Sequence, residues 1–311
     1  MKNNFCIMLI IMLIVPLFFS VSVNVFAENN NNKINLIEGI EFYYNGEYKK
    51  AIEHLSHYID STSSNENLYI NALYYQTLSL IKNADINKAK DNIENLKDLG
   101  YEFGMMHWKL GEIYLNKKSI FDSPYYNKAR KQLEKASMLG IDSSSFHTDL
   151  ASAYQGLGLT KKAIKEFELA LEKKDNPKNY INLANLYKKS DKKDQALKYY
   201  TKYIDYNVDS ISTYSNIADI YINQNKFQKA IEVLEKGVNI NKNHFAIRFQ
   251  LAKAYFMNEE YQVAKKMFEK VIDINNNNYK SYYYLGKISN LNDNIERAKY
   301  YLEQAIKYNP N

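Results

Sequence analysis

LANLYKKSDKKDQALKYY, residues 183–200, returns as IADIYINQNKFQKAIEVL at 217–234, as LAKAYFMNEEYQVAKKMF at 251–268 and as LGKISNLNDNIERAKYYL at 285–302. The copies lie 34 residues apart, so Ala196, Ala230, Ala264 and Ala298 fall in register. Tyr187, Tyr221 and Tyr255 stand nine residues before the alanine; Tyr200, Leu234, Phe268 and Leu302 stand four after it. A fixed period of this size signals a stack of repeated units that bury their apolar faces against one another, rather than one globular core.

The pattern, L-A/G-x-x-Y, a turn, then A-x-x-x-F/L, resembles the tetratricopeptide (TPR) family, whose unit is a pair of antiparallel helices. Working outward from the clear copies, the alanine recurs at Ala51, Ala89, Ala129, Ala163, Ala196, Ala230, Ala264 and Ala298. A matching small residue stands at Gly39, Thr77, Gly111, Ala151, Ala184, Ala218, Ala252 and Gly286. Paired small residues let two helix axes approach closely, a packing requirement rather than chemistry. The resemblance thus implies an all-α, right-handed α-solenoid of about eight helix-turn-helix units over residues 33–311, near 32–65, 70–103, 104–143, 144–176, 177–210, 211–244, 245–278 and 279–311.

The early units depart from the pattern. Glu38 and Gln76 replace the expected leucine, and the spacing widens to 38 and then 40 residues through Asp60–Asn67 and Asn116–Tyr125. The enlarged turn of the third unit is similar to the Sel1 variant of the repeat. Turns are expected at Asn45-Gly46, Gly158-Leu159, Asp191-Lys192 and Asn225-Lys226, and helix stops at Asn239–Asn243 and Asn275–Asn278.

Met1–Ala27 has the three parts of a secretory signal: Lys2, an apolar run from Phe5 to Phe19, and the close Val25-Phe26-Ala27. Cleavage is expected between Ala27 and Glu28, with retention as an uncleaved membrane anchor the competing reading; either puts the repeats outside the cytoplasmic membrane. Residues 28–32 read as a short disordered lead-in. The single cysteine, Cys6, lies in the leader, so disulfides and a Cys-ligated zinc are excluded from a mature chain. Forty-one basic and 35 acidic residues are interleaved, which gives only a mild attraction to anionic surfaces.

No signature of catalysis is present: there is no HExxH, GxSxG or phosphate-cradling glycine loop. His54 and His57 are three apart but lack a third ligand in the sequence, and no cofactor is implied. Lys188, Lys189, Lys192 and Lys193, broken by Asp191 and Asp194, read as a solvated face rather than a nucleic-acid stripe.

What remains is the groove that first helices line in this family. Its row is aromatic and apolar at the start (Tyr43, Tyr44, Tyr74, Tyr75, Leu78, Met105, Trp108, Leu115). It is polar in the middle (Asp149, Ser152, Asn182, Asn185, Asn216, Asp219) and aromatic again at Phe249, Phe256, Tyr283 and Tyr284. The two-carboxylate clamp of chaperone-binding relatives is absent, because Ile181, Ala246 and Gln250 occupy its cationic places. The expected role is an exported scaffold that binds a protein or peptide segment. Asp149, Asn182, Asn216 and Gln250 would form a ladder, with Asn185 beside it and Trp108 and Phe249 supplying flanking pockets. The alternative is a structural subunit of an envelope assembly or export machine that uses its end faces. The face of Tyr300, Tyr301 and Tyr308 is expected to self-associate or dock, since no polar capping helix follows.

Overall fold

The structure, a computed structural model, describes residues 30–62, 67–116 and 123–309. The signal and anchor readings fall outside these residues, as do the middle of the 60–67 linker and most of the enlarged third turn. Among the described residues there are sixteen α-helices and no strand. They pair as α1 (Asn30–Tyr44) with α2 (Tyr48–Asp60), and α3 (Asn67–Lys82) with α4 (Ile86–Asp98). Next come α5 (Gly104–Asn116) and α6 (Ser123–Met138), α7 (Ser144–Gly156) and α8 (Thr160–Lys173), then α9 (Pro177–Lys189) and α10 (Lys193–Tyr206). The last three pairs are α11 (Ile211–Asn223) and α12 (Phe227–Ile240), α13 (Phe245–Met257) and α14 (Tyr261–Ile274), and α15 (Tyr279–Leu291) and α16 (Ile295–Tyr308). Contacts divide the chain into two compact units, one ending at Ile113 and one beginning at Tyr114. In the first unit α1 packs on α2, α2 on α3 and α3 on α4; in the second, α6 packs on α7, and from α7 to α16 each helix packs on its hairpin partner and each second helix on the first helix of the next pair. The first helix begins at Asn30, inside the stretch read as a disordered lead-in, and α3 begins at Asn67, ahead of the boundary placed at 70.

The hairpins close as the small-residue register requires. Ala51, Ala89, Ala129, Ala163, Ala196, Ala230 and Ala264 are wholly buried. A Cβ on Gly39 would stand 2.6 Å from Leu55 Cγ, and one on Gly286 would stand 2.8 Å from Leu302 Cγ, so at these crossings a leucine fills the space that the glycine leaves. Each described hairpin turn pivots on one residue in the left-handed region: Gly46, Ala84, Gly158, Asp191, Asn225, Glu259 and Asp293. Asparagine supplies several helix starts: the side chains of Asn176, Asn278 and Asn294 accept from Lys178, Ser281 and Arg297 backbone N–H groups.

The two leucine replacements are answered by polar partners. Glu38 Oε2 lies 3.2 Å from His54 Nδ1, which joins α1 to α2. Buried Gln76 donates to Ser56 Oγ at 2.8 Å and accepts from Asn92 Nδ2 at 2.7 Å, tying α3 to both α2 and α4. A buried amide bonded at both ends avoids the desolvation cost that a lone one carries.

The repeated tyrosine also acts between repeats. The hydroxyls of Tyr154, Tyr187 and Tyr255 donate to Glu134, Glu168 and Glu235 at 3.0, 2.6 and 2.7 Å, each on the second helix of the preceding pair. Among the described residues Tyr221 makes no such bond; Thr201 occupies the glutamate's register position.

Candidate functional site

Four first helices, α7, α9, α11 and α13, present the polar row. Asn185 is exposed, while Asp149, Asn182, Asn216 and Gln250 are half-buried. The row is stitched together from within. Lys188 Nζ, at the end of α9, donates to Asn216 Oδ1 at 2.7 Å and lies 3.5 Å from Asp219 Oδ2, both on α11. Gln250 of α13 then donates to Asp219 Oδ1 at 3.0 Å and accepts from Ser215 Oγ at 2.6 Å. Three successive first helices are thus linked through Lys188, Asp219 and Gln250.

The four expected rungs are therefore inequivalent. Gln250 uses both its amide groups on α11, and the Asn216 carbonyl is taken by Lys188, leaving its Nδ2 as the group directed to other partners. Asn185 Oδ1 accepts from the Tyr200 hydroxyl at 2.6 Å; burial and then the Asp219 charge push this phenol up to about 12. Lys188, read from the sequence as part of a solvated cluster, instead turns to Asn216 and Asp219. Its position one turn beyond Ala184 on the first helix was the available signal.

Trp108 lies in the first unit and the other six candidate residues in the second. Lys109 Nζ sits 4.3 Å from the Trp108 ring centroid and pairs with Glu112 at 2.8 Å. Of the aromatic and apolar residues expected in the same row, Tyr75 and Leu78 are buried, and Tyr74 packs on Phe103 at 4.8 Å with its phenol raised by burial to about 12. Only Tyr44 of this group is strongly exposed, its hydroxyl 3.1 Å from that of Tyr75.

At the far end, Phe249 packs 5.7 Å from Phe268 and 6.0 Å from Tyr284. It forms one wall of an open, mainly apolar groove of about 690 Å³ between α13, α15 and α16, with Tyr283, Leu302 and Ile306 on its other walls and Lys253 and Lys280 on its rim. Phe249 and Tyr283 are legible from the sequence as groove residues; Lys253 and Lys280 occupy first-helix places of the same inward register and become evident only in the structure. Of the terminal tyrosines, Tyr308 stacks on Tyr282 at 5.6 Å and Tyr301 is half-buried, leaving Tyr300 exposed.

His147, at the site that tryptophan holds in the family pattern, is buried between Glu166 and Asp142, 2.7 Å from each. Hydrogen bonds from Lys173 and then His147 hold the exposed Asp142 carboxyl below its ordinary value. This group ties α7 to α8.

Tetratricopeptide-repeat family models match residues 144–174 and 177–207, and again 280–311. A model described as anaphase-promoting complex, cyclosome, subunit 3 matches residues 203–271 between them. With the paired helices and 34-residue register, the chain belongs to the tetratricopeptide-repeat family. Among solved structures it is similar to the C-terminal part of a TPR repeat-containing protein from Cytophaga hutchinsonii, at 21% identity and TM-score 0.56, covering 65% of this chain and 78% of that one. It is also similar to YrrB, titled a TPR protein with an unusual peptide-binding site, at 18% identity and TM-score 0.50, over 58% of this chain and 93% of that one. A MamA protein structure matches at 18% identity and TM-score 0.50, over 53% and 91%. No curated protein matches the chain. At these identities the likeness is one of fold, that of a helical-repeat solenoid.

Proposed function

We propose that the chain is an exported, non-catalytic scaffold whose polar row of first helices holds an extended protein or peptide segment. The observation that carries the proposal is the fixed row itself. Lys188, Asp219 and Gln250 lock α9, α11 and α13 together, so Asn182, Asn185 and the Asn216 amide face a ligand from a preorganised frame. Amides offer a donor and an acceptor together, which suits peptide groups of any sequence. Phe249, on the same helix as Gln250, would add side-chain selection at that end of the row. The peptide-binding site named for YrrB, a protein of the same fold, supports the reading.

The signal-like sequence of Met1–Ala27 supports a place for this scaffold in the cell envelope or outside it, with membrane attachment only if that segment is retained. Affinity capture from envelope extracts, with mass spectrometry, identifies the ligand. The double variant Asn182→Ala/Asn216→Ala is expected to lose it about tenfold or more. Wild-type affinity in that variant, with loss in Phe249→Ala, would assign recognition to the aromatic end alone.

A further inference from the structure

We propose that the groove between α13, α15 and α16 is a second docking site, which receives a helix of a partner protein carrying an apolar stripe flanked by carboxylates. It adjoins the polar row at Phe249 but does not depend on that row's occupant.

The repeats themselves show what such a groove holds. Leu302 is 37% exposed, yet its register equivalents Tyr200, Leu234 and Phe268 are wholly buried. Ile306 is 63% exposed, against 9% for Val238 in the same register. In the earlier pairs of this unit the cover is the first helix of the next: α9 packs on α8, α11 on α10, α13 on α12, and α15 on α14. Among the described residues nothing occupies that place on α16. Its outer stripe, Ile295, Lys299, Leu302 and Ile306, has the four-three-four spacing of one helix face. The geometry therefore calls for a helix with apolar side chains three and four apart.

Charge selects among helices. Lys253 and Lys280 stand on the rim, Lys299 lies in the stripe, and no carboxylate lines the groove. None of the three lysines forms an ion pair among the described residues. Two copies of this face set against each other would oppose lysine to lysine, which disfavours a symmetric dimer here. The chain's own joints show the complementary solution, since Lys188 of one first helix meets Asp219 of the next at 3.5 Å.

The probe is a peptide of the α11 sequence, Ile211–Asn223, with Ser215→Glu and Asn216→Glu, titrated against the full chain. A control peptide carries Lys at 215, 216 and 219. The acidic peptide is expected to bind about tenfold or more tightly than the basic one, and to lose affinity as salt rises. Ile306→Asp, at an exposed position, should abolish that binding with no change in the thermal unfolding midpoint. Lys253→Glu/Lys280→Glu should reverse the preference between the peptides. Asn182→Ala/Asn216→Ala should leave it untouched, which separates this site from the polar row. Equal binding of both peptides, or binding that survives Ile306→Asp, overturns the proposal. A dimer in light scattering that dissociates on Ile306→Asp would give the face to a second copy and overturn it likewise.

Discussion

The hydroxyl of Tyr187 donates to Glu168 at 2.6 Å, joining the first helix of one repeat to the second helix of the repeat before. Tyr199 donates to the same oxygen at 3.3 Å and stacks on Tyr187 with ring planes 2° apart, so one carboxylate orders two rings. Removing the hydroxyl in Tyr187→Phe keeps the ring and deletes the bond. The expected cost is about 1 kcal/mol, read as a shift of the urea midpoint without a change of slope. A double-mutant cycle with Glu168→Gln should show coupling; additive effects would mean that the ring alone holds the joint.

Alkaline pH tests the same joints together. Burial, and then the bond to a carboxylate, raise the phenols of Tyr154, Tyr187 and Tyr255 above their ordinary value of 10.0. A folded-state value above the unfolded one stabilises the protein fully below pH 10 and loses that contribution as pH rises through the folded values. Stability is therefore expected to be flat near neutrality and to fall above about pH 10. A triple Tyr→Phe variant at these positions should show a shallower decline.

Among the left-handed turn residues, Ala84 has φ 64°, a conformation that costs a residue with a Cβ about 1 kcal/mol or more. Ala84→Gly is expected to stabilise the protein by about 0.5–1 kcal/mol, despite glycine's greater freedom in the unfolded chain. Differential scanning calorimetry checks the sign, and a lower midpoint would refute it.

The missing bond at Tyr221 can be supplied. Glu134, Glu168 and Glu235 each stand five residues after their unit's alanine, and Thr201 stands there in the fifth unit. Thr201→Glu should meet the Tyr221 hydroxyl and stabilise the joint between α10 and α11 by about 1 kcal/mol. The gain should vanish in Thr201→Glu/Tyr221→Phe.

Much of this architecture was legible, because a 34-residue period reports on packing that repeats, and the small residues at Ala196 or Gly286 can be read one unit at a time. The inward register also put Asn182, Asn216 and Phe249 on first helices, where the structure has them. The direction of long side chains was not legible. Lys188 sits beside Asp191 in sequence, but its Nζ travels to Asn216 and Asp219 on another helix. Gln76 looked like a flaw in the pattern because its partners, Ser56 and Asn92, come from two other helices. The tyrosine bonds were readable in principle, since a glutamate stands five residues after the alanine in every unit but the first and the fifth, but the signal spans two neighbouring units and is invisible within either.

The joint between the fifth and sixth pairs is thus fastened unevenly. Its first-helix side carries Lys188 with Asn216 and Asp219, while its second-helix side lacks the tyrosine bond that its neighbours have. Such a joint would have a soft direction: under load it would open first on the side of α10, where Gln224 and Asp194 meet at 3.5 Å, while α9 and α11 stay latched, like a book opened from its fore-edge. Mechanical strain on this half of the chain would be absorbed there, and a segment lying along Asn182 and Asn216, close to the spine of the book, would feel little of it.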